Sequence, residues 1–413
     1  MKIDLMLIGG ELIHGKRSDL NGPELAKQLR PLGHEIHSII TLADHPQELI
    51  QQLQNHYSLA LSNPEQQFLL ITSGGLGPTL DDLTKTSLAQ AFKLTIEDSP
   101  VAREICRANY ARHQRLWEPT LNSYQLIPQS VLPLNNPTGH APGLLLRKAN
   151  LTILCLPGVP HEFASILKEQ LSIGLIPSKQ AKKFFTVKSK EVAEEIIFNQ
   201  LCPTLWSELE QFGPVSSLPH AGGVEISIET LSNNFSQLEQ IFRQSALAPH
   251  IWQYGDLAIN HYLIQQLTAK KLTLALAESC SGGLCSHLLT EIAGSSSAFL
   301  GGVICYSNHA KIELLDVSAQ TIAEHTEVSG ETAMEMARGV RLKLGTDLGL
   351  SFTGFAGPTG GRENDPVGTV YIGLATRDSC QYFRYQFYGE RSFVKQKFVQ
   401  YGFYRILDWL QSH

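Results

Sequence analysis

A chain of 413 residues is longer than one ordinary domain, so two or three domains are expected. Its 43% hydrophobic content supports ordinary cores, with no run of about 18 apolar residues that would span a bilayer. A net charge of −6 argues against a nucleic-acid partner, and seven scattered cysteines without CxxC or Cys/His metal spacing point to reduced thiols in a cytoplasm.

In chain order, residues 1–10 begin a first strand through Leu5, Leu7 and Ile8, without the apolar core or cleavage site of a signal peptide. Residues 21–32 read as a helix and 35–41 as a second strand. Asp44 reads as the N-cap of a helix over 48–61, with Pro46 tolerated in its first turn. The apolar run at 68–72 is a strand of the kind buried in a parallel sheet. It ends in Ser73-Gly74-Gly75-Leu76-Gly77-Pro78-Thr79, and a helix follows over 81–92. Another buried strand spans 151–156. This alternation predicts an α/β, doubly wound sheet over 1–171.

From residue 172 the pattern loosens. Residues 179–190 are basic and polar, and the stretch to 255 offers one amphipathic helix and one strand, 224–230, as in a small α+β connector. The third block, 256–413, opens with a helix over 260–270. An apolar run at 272–276 then leads into Ala277-Glu278-Ser279-Cys280-Ser281-Gly282-Gly283, read as strand, sharp turn and helix. A strand at 302–306 follows, with Ser307 or Asn308 capping a helix to 315. Ser329 can cap a helix whose apolar face carries Ala333, Met336, Ala337, Val340 and Leu344. The strand 348–352 meets a Gly-rich loop at 353–361. Residues 367–375 and 381–387 read as a hairpin, and 392–410 as a closing helix.

In an open α/β sheet the carboxyl ends of strands line the ligand crevice. Three such ends in the third block carry small or reactive residues: Ser279/Ser281, 306–311, and 353–361. A serine at a strand-to-helix turn can attack a carbonyl while turn N–H groups hold the oxyanion, and a lysine with a pKa lowered by burial can take its proton. Lys311 lies one helical turn after Tyr306, Ser307 and Asn308 and can reach back to the strand end. The same residues also read as an N-cap in a small-residue turn and a solvated surface lysine. His287, His309 and Cys280 are competing reactive groups. In the first block, Gly74, Gly75, Gly77 and Thr79 open a helix where a phosphate can bind. Asp81, Asp82 and Glu11 at the same sheet edge can hold a divalent cation, or Asp81 and Asp82 can merely favour the helix N-terminus.

Several long segments together resemble the CinA family over nearly the whole chain. They are AESCSGG at 277–283, GSSSAFLGGVICYSNHAK at 294–311, TGFAGPTGG at 353–361 and PVGTV at 366–370, with GGLGPTLDDLTK at 74–85, APG at 141–143 and LPGVPHE at 156–162. The resemblance implies a doubly wound N-terminal domain like MogA and MoaB, a small connector, and a C-terminal α/β/α domain of the PncC type. That domain deamidates nicotinamide mononucleotide to nicotinate mononucleotide and ammonia. The family's serine–lysine arrangement falls on Ser279, or else Ser281, and Lys311, with Tyr306 lining the site. N–H groups near Ser281, Gly282 and Gly283 would hold the oxyanion. Thr353, Gly357, Gly360 and Arg391 become candidates for the mononucleotide's phosphate or ribose, and no metal is required.

In some members the N-terminal domain is a metal-dependent ADP-ribose pyrophosphatase. This chain departs from the family there: Lys16 stands where an acidic residue is usual, Asp19-Leu20-Asn21 replaces an Asn-rich run, and Tyr124 takes a usually basic position. Lys16 would exchange a metal ligand for a competing cation. A homodimer without membrane or nucleic-acid partners is the further implication. The alternative class is a nucleotide- or pterin-binding or competence-related adaptor without turnover.

Overall fold

The computed structural model describes residues 1–179 and 183–413. They divide into two compact units, Met1–Lys182 and Lys183–His413.

The first unit is built on strands β1 (Lys2–Ile8), β2 (Ser38–Leu42), β3 (Phe68–Ser73), the short pair β4 (Ile96–Asp98) and β5 (Leu126–Pro128), then β6 (Leu132–Leu134), β7 (Gly143–Lys148) and β8 (Leu151–Leu156). The main sheet has the order β2-β1-β3-β8-β7-β6. Its first four strands run parallel, and β7 and β6 are antiparallel additions. Both faces are covered: Met6, Leu70 and Ile153 enter one core, Leu5, Ile71 and Leu154 the other. This is why the central strands read as unbroken apolar runs.

Several boundaries differ from the sequence expectation for local physical reasons. The helix expected over 21–32 is α-helical at Asn21–Leu29 and tightens into a 3-10 turn at Arg30–Leu32, around Pro31. Asp44 is not an N-cap. The helix runs Pro46–Ser62 after His45, and the Asp44 carboxylate accepts instead from the Gly10 N–H at 2.8 Å. The helix expected from 81 begins only at Thr84.

The second unit contains two sheets. Strands β9 (Lys183–Ser189), β10 (Val215–His220), β11 (Gly223–Thr230) and β12 (Ile251–Tyr254) form an antiparallel sheet ordered β10-β11-β9-β12, richer than the single strand expected there. Strands β13 (Leu274–Glu278), β14 (Phe299–Ile304), β15 (Leu348–Gly354), β16 (Thr369–Ala375) and β17 (Cys380–Gln386) form the other, ordered β14-β13-β15-β16-β17. Its first three strands are parallel and the last two form the expected hairpin. The sheets are joined through the closing helix Arg391–Ser412, where Asp408 pairs with Lys190 and Arg405 with Glu191.

β13 lies between β14 and β15, so the chain leaves it toward one neighbour and later returns beside the other, a topological switch point. The helix after β13, Leu284–Thr290, packs Cys285 and Leu289 into the core shared with the closing helix. The helix after β14, Asn308–Leu315, packs Leu315 into the core of the opposite face. A crevice between these two helix starts follows from the topology.

Gly339 illustrates how tightly that second face is packed. In helix Gly330–Leu344, a Cβ at Gly339 would stand 2.0 Å from the Leu315 carbonyl oxygen. Intrinsic propensity favours Ala over Gly inside a helix by about 1 kcal/mol. A backbone oxygen cannot rotate away, and overpacking costs about 1–3 kcal/mol. Gly339→Ala is therefore expected to lower the melting temperature despite its better propensity, and an unchanged or higher value would contradict this packing.

Candidate active site

The turn after β13 is organised by Glu278, whose side chain is 0% exposed. Its carboxylate accepts from the N–H groups of Gly283 (2.9 Å), Cys285 (3.1 Å) and Ser286 (2.8 Å) and from the Ser286 hydroxyl (2.5 Å). Gly282 and Gly283 adopt left-handed φ values of 63° and 94°, which lets the chain double back over this carboxylate. The donors expected for an oxyanion at Gly282 and Gly283 are thereby used up, because Gly282 N–H also bonds to the Ser279 carbonyl at 3.2 Å. Among the described residues, the amides of Cys280 and Ser281 are the turn N–H groups with no backbone or carboxylate acceptor, the Cys280 N–H lying against its own thiol. Ser279 itself is tied to β15 by its N–H donating to the Phe352 carbonyl at 3.0 Å.

Lys311 sits in the first turn of helix Asn308–Leu315, which the Ser307 hydroxyl caps by accepting from the Ala310 N–H at 3.1 Å. Its side chain is 1% exposed, and its Nζ lies 3.1 Å from Ser279 Oγ. Burial lowers its pKa from the ordinary lysine value, against the opposing pull of Cys305, Cys280 and Glu327. Burial in turn pushes the Cys305 thiol up to about 11 and the Cys280 thiol up to about 12. Both thiols are neutral at pH 7, so Glu327 is the remaining opposing charge. It is engaged elsewhere, accepting from Arg362 Nη2 at 2.7 Å.

The competing histidines are placed apart from this pair, and the competing thiol is inert. Cys280 is buried and protonated, not a nucleophile. His287 is exposed beside Glu291, at 3.5 Å, and His309 is exposed. Tyr306 follows the end of β14, is 64% exposed, and has no hydrogen bond among the described residues. Ser281 is fully buried, and its Oγ has no partner among the described residues.

The Gly-rich loop meets the closing helix beside the turn. Thr353 Oγ1 is spent on the Glu327 carbonyl at 2.7 Å. The Gly357 carbonyl accepts from Arg391 Nη1 at 2.7 Å, so this guanidinium braces the loop, while Gly360 adopts φ 89°. Lys395, one turn beyond Arg391, was not anticipated: its Nζ would lie 3.7 Å from a Cβ at Gly282. The positive charges of Lys311, Arg391 and Lys395 all act on the Cys280 thiol. The i,i+4 spacing of Arg391 and Lys395 was the available sequence signal. For Glu278, only its place in the motif hinted at a role.

In the first unit, Glu11, Asp81 and Asp82 line one cavity of about 460 Å³ with Gly74, Gly75 and Gly77. Asp82 does not open a helix. It turns back to accept from the N–H groups of Gly77 (2.7 Å) and Thr79 (2.8 Å) and from the Thr79 hydroxyl (2.6 Å). Gly74 N–H bonds to the Leu156 carbonyl at 3.0 Å, so of the four expected phosphate donors only Gly75 keeps a free N–H among the described residues. Arg17, rather than Lys16, lines this cavity, as does Tyr124. Among the described residues no three His, Cys, Asp or Glu side chains form a group able to hold a metal ion. Asp81, Asp82 and Glu11 line the same cavity without forming such a group.

Residues 256–410 match the family model of the CinA C-terminal domain, and residues 5–176 that of a molybdopterin binding domain. A protein of Halothermothrix orenii described as competence-damage inducible is 35% identical over all of this chain and 99% of its own length. The chain belongs to the CinA family. A CinA-like protein of Chloroherpeton thalassium is 33% identical, over 96% of this chain and 93% of its own. The crystal structure of a CinA superfamily protein from Klebsiella pneumoniae matches 38% of this chain and 97% of its own, with 30% identity and a TM-score of 0.37. Glu278, Ser279, Lys311, Arg391 and Lys395 all fall within the CinA C-terminal match, and Glu11, Arg17, Asp81 and Asp82 within the other.

In this CinA domain the burial of Lys311 disfavours its ammonium form at a cost in stability. Its proton leaves the folded chain at lower pH than the unfolded one, so the unfolded state binds more protons from the folded pKa up to 10.5. Wild-type stability gains from this group as pH rises through that window. Lys311→Met keeps the volume and removes the charge; its melting temperature is expected to exceed wild type by a few degrees at pH 7. Urea midpoints of both proteins from pH 7 to 10.5 should show the gap narrowing; a gap independent of pH would contradict the buried charge.

Proposed function

We propose that the C-terminal domain hydrolyses the carboxamide of nicotinamide mononucleotide to nicotinate mononucleotide and ammonia. The observation that carries this reading is the buried Lys311 Nζ at 3.1 Å from Ser279 Oγ. Serine is a weak nucleophile until a neighbour removes its proton, and a desolvated lysine amine can do so near neutral pH.

Neutral Lys311 takes the Ser279 hydroxyl proton as Oγ bonds to the carboxamide carbon. The carbonyl π electrons move to oxygen, and the amides of Cys280 and Ser281, which have no backbone or carboxylate acceptor among the described residues, are the donors available to that oxyanion. The Lys311 ammonium then gives its proton to the nitrogen as the C–N bond breaks, releasing ammonia and leaving an ester on Ser279. Water adds to that ester with its proton passing to Lys311, and Lys311 returns a proton to Oγ as the acid leaves. Ser279 is preferred over Ser281 because its oxygen is the one bonded to the base.

Ammonia release from nicotinamide mononucleotide should be lost in Ser279→Ala and in Lys311→Ala by about 10³-fold or more. Ser281→Ala should retain most turnover. Unchanged rates in both of the first two variants would end the assignment. Mononucleotide binding without ammonia release by the wild type would leave the domain a binding module.

The pH profile supplies a separate check. The base form of Lys311 is the active one, so kcat/KM of the wild type should climb with pH and level off around a pKa below 10.5. A rate that falls across that range would contradict a lysine base.

A further inference from the structure

The base of the site is acted on by one ionised carboxylate, and Arg362 holds that carboxylate. Glu327 stands between helix Ala319–His325 and helix Gly330–Leu344, and its carbonyl accepts from Thr353 Oγ1 at 2.7 Å. The residue before Thr353, Phe352, accepts from the Ser279 N–H at 3.0 Å, so Glu327 is fastened to the strand that anchors the nucleophile. Its Oε1 accepts from Arg362 Nη2 at 2.7 Å. Arg362 is braced in turn: Nη1 donates to the Thr326 hydroxyl, and the guanidinium lies 5.3 Å from the Phe355 ring centroid. Both side chains keep about a third of their surface in water, which limits the pair to a modest electrostatic effect.

The titratable groups acting on the Lys311 amine are Cys280 after β13, Cys305 after β14, and Glu327. The thiols are neutral at pH 7, which leaves Glu327 as the ionised one. Other charges around this helix are directed elsewhere. His309 and Glu313 of the same helix are exposed, Glu331 faces His325, and Glu335 accepts from the Ser318 N–H and the Thr321 hydroxyl. Arg391 and Lys395, from the closing helix, act on Cys280. A bare carboxylate near a buried amine favours the ammonium, whereas one paired with a guanidinium presents little net charge.

We propose that Arg362 and Glu327 are positioning residues that set the charge of the base: by holding the Glu327 carboxylate, Arg362 leaves the Lys311 amine neutral and able to take the Ser279 proton. The pair acts through Lys311 and touches no reacting atom. Its consequence for turnover rests on the amidase reading; its effect on the Lys311 proton does not.

The test follows that proton in the full chain by two readouts. One is the pH profile of kcat/KM for ammonia release; the other is the NMR titration of the lysine Cε resonance that disappears in Lys311→Met. Arg362→Gln leaves the Glu327 carboxylate unpaired and should move both midpoints up by about 0.5 to 1 pH unit. Glu327→Gln leaves the guanidinium unpaired and should move them down. The double variant removes both charges and should return to wild type, as should Arg362→Lys, which keeps the cation. A merely structural pair would shift both single variants in one direction, with no recovery in the double variant. That result, or unmoved midpoints in both single variants, overturns the proposal. Glu327→Gln preserves side-chain shape and carries the test by itself should Arg362→Gln not fold. If the wild type releases no ammonia, the amidase reading fails, and the resonance titration still decides for or against the pair.

Discussion

Glu278 ends a central strand with its carboxylate entirely out of water, where an unpaired charge would cost on the order of several kcal/mol. Three N–H groups and one hydroxyl solvate it instead, at the start of the helix that follows. That single arrangement sets the shape of the C-terminal site. It forces the two left-handed glycines, seats the Ser279 side chain at the crevice, and consumes the donors that a bare helix N-terminus would have presented. What remains for a ligand is the pair of amides at Cys280 and Ser281. The negative charge is also felt locally, since burial and Glu278 together push the Cys285 thiol well above its ordinary value.

The turn alone is inert; it needs a base, and the sheet supplies one from its other face. Because β13 sits between β14 and β15, the helix bearing Lys311 packs on the side opposite the helix that Glu278 caps. The lysine side chain is buried along its length where its nitrogen meets Ser279. Burial thus does two things at once: it fixes the rotamer of a long side chain, and it disfavours the charged form of its amine. The neutral thiols of Cys280 and Cys305 complete a low-polarity wall without adding a competing nucleophile.

Much of this was legible locally. Caps at Ser307 and Ser329 act on N–H groups three residues away, so short-range pattern reading finds them. Buried parallel strands such as Phe68–Ser73 and Leu151–Leu156 announce themselves as apolar runs. The failures share a cause. Asp44 bonds to Gly10, 34 residues away, and Asp82 turns back to Gly77 and Thr79 instead of starting a helix. A carboxylate looks the same in sequence whether it caps its own helix, braces a loop or binds a metal. Strand β9 was hidden for another reason: its lysines at the ends masked a buried centre, Phe185 and Val187.

The two sheet-edge sites of the chain show how backbone hydrogen bonding decides what a Gly-rich turn can do. At both, an acidic side chain claims N–H groups of the turn: Asp82 reaches back to Gly77 and Thr79, and Glu278 forward to Gly283 and beyond. In the first unit the claimed N–H groups are Gly77 and Thr79, two of the four expected to hold a phosphate. In the second, the claimed donors lie past the nucleophile, and the amides nearest Ser279 stay free. The same device therefore takes up donors at different places in the two turns. Glycine content alone cannot separate these cases; the position of the bonded carboxylate relative to the reactive residue does.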